Sequence, residues 1–595
     1  MKENFNETMR WLHTYSGLIV GWLLFAIFVT GTSAYYKNEI TLWMQPEFHK
    51  SKQSDKTLDI AINKAIEKIE RNDKVSVTLP NSRSNLIAVR VENSNKKEQT
   101  NKRKRRVPPT YYDASSGEKI EETTKTAGGN FLYRFHFELY EVPRSVGRWI
   151  VAIATMSMFV AIITGILIHK RIFKDIFTFR PKNNTRGWMD AHILPAVAAL
   201  PFLIMITYSG LILLTGTIMP WGIKAYFGDN YRAYKQEYIK LYSVDNKELE
   251  AKRVILQNNE VENKANIYSA VNSNALRQAK NTNNSSRLAL TNANRQLHKY
   301  EYIETKNIIT KETLNSIIKK ANEIWPNNIG SFTIIKEKDK NPIIELSPRV
   351  ATTLFNYKMQ REVDTYDAKS LTLLDSSILP SLESKVLNTS TALRALHEAK
   401  FADSTLRFVF FVSGVLGIIL VGTGLVLWTQ KRKKKNAIKK SFGFWLVEKL
   451  NLGTIVGIML GLAVYFIANR VMYIDEANRR DLEINAFFLA WLFSYIYAFL
   501  RDTNKAWKEQ LLLTAILFLS LPIINTITIL DSLLEVFTRD SIFIYFDIFF
   551  IFMALVCLLI RFILIKKKGE KHNVSCFIFN LSWNVTVLFF FRKAL

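Results

Sequence analysis

The sequence predicts a mainly α-helical polytopic membrane protein: a duplicated four-helix core, two small α+β extracytoplasmic modules between its helices, and additional C-terminal transmembrane helices. Three observations predict it. Apolar runs of about 20 residues recur along the chain, each long enough to cross roughly 30 Å of hydrocarbon as a helix. Basic clusters follow alternate runs and mark the cytoplasmic side. One is Lys170, Arg171, Lys174, Arg180, Lys182 and Arg186; another is Lys431, Arg432, Lys433, Lys434 and Lys435. The third observation is an internal repeat that pairs the first two spans with the third and fourth.

In order, 1–36 holds the first span, about Leu12–Tyr36. Lys2 and Arg10 precede it and put the N-terminus in the cytoplasm. The run continues past Gly31 without a small-residue cleavage site, so it is a retained span and not a signal peptide. Residues 37–144 form the first polar module. Residues 145–214 hold spans two and three around the basic cytoplasmic loop. The second polar module covers 215–403, with an Asn-rich insertion at about 245–306, and the fourth span is 404–430. Residues 431–595 contain later spans at about 452–473, 484–500, 511–530 and 541–562. A last run, 574–591, is interrupted by Asn580, Ser582 and Asn584, which leaves its crossing open.

The net charge of +28 lies largely in loops beside the apolar runs, where it sets topology. The run KRKRR at 102–106 falls in an extracytoplasmic loop and reads as a solvated basic segment, with no nucleic-acid partner implied. Cys557 and Cys576 are the sole cysteines and both sit in late apolar segments. That excludes an external disulfide framework and a thiolate metal site, and the absence of Cys-x-x-Cys-His excludes covalently attached haem.

The repeat is specific. His13 is followed 17 residues later by Thr30-Gly31, and His192 by Ser209-Gly210 at the same spacing. Gly17 and Ala196 lie four residues after these histidines. Thr164-Gly165 and Thr423-Gly424 each precede three aliphatics and then a ring, His169 or Trp428. Upstream of those spans lie His136 and His397. The polar modules repeat too: TLDIAINKAIEKI (57–69) matches TLNSIIKKANEIW (313–325), with apolar residues at helical spacing. Alternating segments follow each, then Tyr112-Asp113-Ala114-x-Ser116 or Tyr366-Asp367-Ala368-x-Ser370, whose Asp and Ser supply turn chemistry. Each module is expected to be one helix followed by its own small antiparallel sheet.

Of eight histidines, His49, His298 and His572 match nothing across the repeat and are expected to be exposed. The topology puts His13, His169 and His192 at the cytoplasmic side and His136 and His397 at the outer side. A pseudo-two-fold axis makes His13 face His192 and His136 face His397. Two opposed imidazoles at one depth are what a six-coordinate haem iron needs, so each pair could clamp one non-covalent haem. Gly17, Ala196 and the Thr-Gly and Ser-Gly steps could leave room for the flat macrocycle, although small residues also serve helix packing. Arg10, Arg134, Arg144, Arg148, Arg394 and Arg407 lie near enough in sequence to meet its propionates. His169 lacks a symmetric partner. It could replace His13 or His192 as a ligand, bond a propionate, or relay protons. A divalent-metal site would draw mainly on Asp190.

The strings WLHTYSGLIVGWLLFAIFVTG (11–31), FHFELYEVPRSVGRWI (135–150), GILIHKRIFKDIFTFRP (165–181), DAHILPAVAALPFLIMITYSGL (190–211) and LHEAKFADSTLRFVFFVSGVLG (396–417) carry a resemblance. Over roughly residues 8–475 the chain resembles the PepSY-associated transmembrane family of iron-regulated membrane proteins, which includes inner-membrane ferric-siderophore reductases. The resemblance implies two b-type haems, PepSY-like periplasmic modules, and electron flow across the bacterial inner membrane to a ferric siderophore. It also implies quinol or a separate cytoplasmic reductase as donor. The chain shows no Gly-x-Gly-x-x-Gly unit, and its cytoplasmic loops are too short for nicotinamide and flavin domains of its own. Two other classes compete. A transporter of iron chelates would suit the repeats, but its broken, Pro- and Gly-rich helices are not expected here. A peptide-binding or regulatory PepSY protein would leave the matched histidines unexplained.

Overall fold

The computed structural model describes residues 2–92, 109–169, 185–219, 309–399, 401–473, 478–529 and 541–566, except 71, 82–83, 122–123, 220, 222–224, 337–340, 350–362, 377–384 and 439–440; it also describes 221, 225–226 and 228. The cluster 102–106, most of the basic loop, the Asn-rich insertion, Cys576 and the last apolar run lie outside these residues, as do His298 and His572. In chain order the helices are α1 Lys2–Ala34, α2 Lys37–Trp43, α3 Thr57–Ile69, α4 Gly129–Glu138, α5 Arg144–Ile168, α6 Thr185–Ala198 and α7 Leu200–Ile218. They continue with α8 Lys311–Ile324, α9 Lys385–Glu398, α10 Ser404–Ile438, α11 Phe442–Val471, α12 Arg479–Leu500, α13 Thr503–Ile529 and α14 Ser541–Lys566. The strands are β1 Lys74–Thr78, β2 Leu86–Glu92, β3 Thr110–Asp113, β4 Ile329–Ile335, β5 Ile343–Pro348, β6 Asp364–Asp367 and β7 Leu373–Ser376.

The chain forms two compact units. One comprises Met1–Pro46, Thr123–Met219 and Ala402–Leu595; the other comprises Glu47–Glu122 and Pro220–Phe401.

The first unit is helical, and eight helices among the described residues are long and apolar enough to cross a membrane. Glycine brings α1 and α10 together. A Cβ on Gly414 would lie 2.4 Å from Thr32, and one on Gly417 would lie 2.4 Å from Phe28. Only small residues permit so close an approach. Helix α11 is the central element: 72% of its apolar stretch is buried, against 22% for α10. It begins about ten residues before the run read from the sequence. Lys449, which looks like a boundary residue, is buried and donates from Nζ to the Arg501 carbonyl at 2.6 Å. The third span departs from expectation. It is two helices, α6 and α7, broken at Ala199. Pro201 lacks the N–H that would continue the ladder, and its ring crowds the carbonyl four residues back. The expected absence of broken helices therefore fails for this span.

The second unit corrects the expectation of two separate sheets. Its strands form one antiparallel sheet in the order β3-β2-β1-β4-β5-β6-β7. The join is β1 with β4, which pairs Ser76 with Thr333 and Val77 with Phe332. Matching the core-facing Val75 and Val77 to the core-facing Phe332 and Ile334 puts the pseudo-two-fold axis of the sheet at the Ser76–Thr333 pair. On one face Val75, Val77, Phe332, Ile334, Ile344 and Leu346 pack with the apolar stripes of α3 and α8 in one core. On the other face Thr333 Oγ1 donates to Ser76 Oγ at 3.1 Å. The Asp turns are structural, as the sequence implied. Asp113 Oδ1 accepts from the N–H groups of Ser115 and Ser116, and Asp367 Oδ1 from those of Lys369 and Ser370. Burial works against the Asp113 carboxylate. Its bonds to Ser115 and Ser116 outweigh that and hold its pKa below the ordinary value.

Candidate functional site

Three of the predicted histidines lie in the helical unit on identical local constructions. His13 on α1 places Nδ1 2.8 Å from the Ala161 carbonyl on α5. His192 on α6 places Nδ1 2.9 Å from the Leu420 carbonyl on α10. His136 on α4 places Nδ1 2.9 Å from the Ile27 carbonyl on α1. Four residues after each carbonyl comes a glycine, Gly165, Gly424 or Gly31, against which the ring lies. A Cβ there would sit 3.2 Å from His13 Cε1, 3.0 Å from His192 Cε1 and 2.5 Å from His136 Nδ1. The residue before each glycine, Thr164, Thr423 or Thr30, turns its hydroxyl back onto carbonyls of its own helix. From the sequence, the Thr-Gly steps could leave room for a macrocycle. The structure gives them an imidazole of the neighbouring helix.

A carbonyl oxygen can only accept, so each Nδ1 carries a ring proton, and in the neutral ring Nε2 keeps its lone pair. This is the tautomer a metal-ligating histidine uses when a backbone carbonyl orients it. A fourth such step, Ile206 with Ser209-Gly210, has the same hydroxyl pattern: Ser209 Oγ donates to the Met205 and Ile206 carbonyls. Its repeat counterpart histidine is His397, on α9 in the other unit and half-buried there.

His13 and His192 come together as the repeat predicts. Their ring centres are 6.3 Å apart and the planes stand at 74°. Two imidazoles ligating one metal from opposite sides, with bonds of about 2 Å, hold their ring centres about 6 Å apart. Both rings line a cavity of about 320 Å³. That lies in the usual range for cofactor and ligand sites, roughly 300–1,000 Å³. Its walls are mainly apolar, and Gly17 and Ala196 line it, with nothing within 4 Å of a Cβ built on Gly17. His169 and its repeat counterpart Trp428 line it as well, with Lys431 and Arg432 at the rim. Arg432 stacks on the Trp428 ring at 4.1 Å, while the buried Trp428 Nε1–H has no acceptor among the described residues. The donor set, the orphaned N–H and the cationic rim fit a bis-imidazole macrocycle with acidic edges. Among the described residues no group of three or more His, Cys, Asp or Glu could hold a metal ion, so the divalent site around Asp190 gains no support.

Other expectations change. Arg134, Arg144 and Arg148 converge on the nearly buried Glu138, at 2.9, 3.7 and 2.5 Å, and Arg407 pairs with Glu39 at 2.5 Å. These arginines are engaged with carboxylates at the α4–α5 and α2–α10 junctions. Burial opposes the Glu138 carboxylate, but Arg134 and Arg148 outweigh it and keep its pKa below the ordinary range. His49, expected to be exposed, is half-buried.

A helical membrane unit in which repeat-related imidazoles bear on neighbouring helices, and a second unit built on a single sheet, define a polytopic membrane protein of the PepSY-associated class. The chain belongs to the family described as the PepSY-associated TM region, whose model matches residues 10–431. A comparison with curated proteins found no match. The family match ends at Lys431, before α11 begins.

Proposed function

We propose that this protein is a di-haem oxidoreductase of the bacterial inner membrane, with its N-terminus in the cytoplasm. It passes electrons from quinol or a separate cytoplasmic reductase to ferric iron in a siderophore chelate on the periplasmic side. The observation that carries the reading is the His13–His192 pair, with both Nδ1 protons held by carbonyls, at 6.3 Å across an apolar cavity. A second seat, for His136, lies about 27 Å along α1 from His13, close to the thickness of the hydrocarbon core. In this reading His13 and His192 hold one b-type haem, and His136 and His397 hold the other. Bound haem supplies a one-electron couple in a medium that otherwise resists charge movement.

The chain's own residues do the rest. The Ala161, Leu420 and Ile27 carbonyls fix the tautomers, and Gly165, Gly424 and Gly31 let the rings approach. The apolar cavity wall excludes water, and Lys431 and Arg432 balance acidic edges. Each ferric ion takes up one electron from the donor and becomes ferrous, a larger and softer ion that hard oxygen donors hold less well. The reduction of ferric iron itself needs no acid, base or nucleophile; a quinol donor would release two protons to water for every two ferric ions reduced. A basic external surface would attract an anionic chelate through long-range, salt-sensitive steering.

The test is the visible spectrum of purified protein. Two low-spin haems, reduced chemically and then reoxidised anaerobically by a ferric chelate, are expected. A colourless protein overturns the reading, and so do haems that no ferric chelate class reoxidises. Reporter fusions at about residues 100 and 300 should both report the periplasm.

A further inference from the structure

Helices α11–α14 lie beyond the family match and carry no histidine, yet α11 and α12 reach the helix that bears His136. Helix α4 has ten residues and no side-chain N-cap. A helix this short is marginal by itself and takes its position from its neighbours. Its start is held by hydroxyls. Thr126 Oγ1 accepts from the Gly128 N–H at 3.0 Å, and Thr41 Oγ1 accepts from the Gly129 N–H at 3.0 Å. Thr126 Oγ1 in turn donates to Glu483 Oε2 on α12 at 2.5 Å, and the Tyr465 hydroxyl on α11 donates to the Gly128 carbonyl at 3.0 Å.

Glu483 is itself fixed. Its Oε1 accepts from Asn469 Nδ2 at 2.8 Å and from Arg479 Nε at 3.2 Å, and the side chain is fully buried. Arg479 is spent on the Asn469, Met472 and Tyr473 carbonyls at the α11–α12 turn. Along α4, Phe131 and Phe135 share one face. Phe131 meets Tyr465 and Phe487, each at 5.2 Å, while Phe135 meets Phe488 at 5.5 Å and Trp491 at 6.1 Å. His136, the next residue, meets α1 instead.

We infer that α11 and α12 are a clamp that sets the position of His136, with Thr126, Tyr465 and Glu483 as its positioning residues; this rests on the di-haem reading for what His136 holds. The carboxylate and the phenol grip the Thr126–Gly129 turn, the aromatic face fixes the rotation of α4, and the imidazole is presented to Ile27 and Gly31. At the His13–His192 site α11 touches the long spans that form the walls instead: Asn451 accepts from Trp22 Nε1 on α1 at 2.9 Å and donates to the Leu425 carbonyl on α10 at 3.0 Å. The grip on the Thr126–Gly129 turn would therefore tune the His136 site and leave the other alone.

The experiment compares full-length Thr126→Val, Thr126→Ser and Tyr465→Phe. Redox titration and the low-spin electron resonance signals of both haems are recorded, along with hydrogen exchange over residues 126–138. The haem lost in His136→Ala identifies the signals of that site. Thr126→Val and Tyr465→Phe should shift the reduction equilibrium of that haem by about threefold, or roughly 30 mV at about 59 mV per tenfold for one electron. They should also speed exchange across 126–138, while Thr126→Ser, which keeps the hydroxyl, stays at wild type. The other haem should not move in any variant. Both haems shifting together, or neither shifting with exchange unchanged, overturns the clamp. Should Thr126→Val fail to assemble, Tyr465→Phe, which deletes one oxygen, decides by the same criteria. A preparation without haem overturns the di-haem reading alone, and the exchange measurement still decides whether the clamp exists.

Discussion

At one end of the membrane unit, His13 and His192 sit on seats supplied by the repeat itself, each span of one half bearing on its own partner span. At the other end, His136 uses the same kind of seat on α1 but rides on a ten-residue helix backed by α11 and α12, which lie outside the repeat. The difference teaches what duplication can do. Two helices that are copies of each other, α1 and α6, place two imidazoles symmetrically, because each lies against a long partner span, α5 or α10. A ligand on a short helix between spans has no such anchor, so it needs support from another part of the chain.

The largest effects should come from removing the imidazoles. His13→Ala or His192→Ala should abolish one haem and spare the other, measured as half the haem per protein in a pyridine haemochrome assay. Retention of both haems in His13→Ala, with loss of one in His169→Ala, would make His169 the ligand at that end.

Next comes the ion pair that joins α2 to α10 beside the His136 end. Arg407 and Glu39 are both largely buried, and Arg407 also stacks on Tyr36 at 4.6 Å. Arg407→Leu leaves a buried carboxylate without its partner, at a cost of about 3–5 kcal/mol. Thermal unfolding in detergent should show a clear loss of stability, and restoration by Glu39→Gln in the double variant would identify the pair as the cause.

The glycine seats give a sharper contrast. A Cβ at Gly31 would lie 2.5 Å from His136 Nδ1, whereas at Gly165 and Gly424 it would lie 3.2 and 3.0 Å from the ring carbons. Gly31→Ala should displace its imidazole, at an overpacking cost of about 1–3 kcal/mol, and broaden or remove one haem's low-spin signal. Gly165→Ala and Gly424→Ala need shifts of only a few tenths of an ångström and should keep both haems. Equal effects at all three positions would break the comparison.

The smallest effect is the pH dependence of the α4–α5 junction. The pKa of Glu138 is lowered by Arg134 and Arg148 against the opposing effect of burial. Its contribution is therefore present above the ordinary carboxylate range and is lost as pH falls through the lowered value. Protection from hydrogen exchange over residues 134–148, relative to the intrinsic rate at each pH, should be flat from neutral pH down to about pH 4.5 and fall below it, a fall that Glu138→Gln removes.

Much of this was legible in the chain. The spans declare themselves because a helix must offer hydrocarbon about 20 apolar residues. The pairing of His13 with His192 followed from the repeat; that Trp428 joins His169 in lining the same cavity is what the structure adds. The break at Ala199 was signalled by Pro201 and missed, since apolar run length carries no information about the backbone ladder. The start of α11 was missed for the opposite reason: Lys449 looks like a boundary and is instead a buried donor to the end of α12.

The sequence by itself determined the membrane class, the duplication, the turn role of Asp113 and Asp367, and that His13 faces His192. Each of these depends on local spacing or on identity between two stretches of one chain. Only the tertiary structure decided that the two modules share one sheet, because β1–β4 pairing joins strands separated by about 250 residues and leaves no local mark. Tertiary structure alone also turned the Thr-Gly steps into imidazole seats, sent Arg134, Arg144 and Arg148 to Glu138, and tied α11 and α12 to the turn before His136. Those contacts exist only when side chains remote in sequence are brought within hydrogen-bond reach, and packing rather than pattern decides which of them meet.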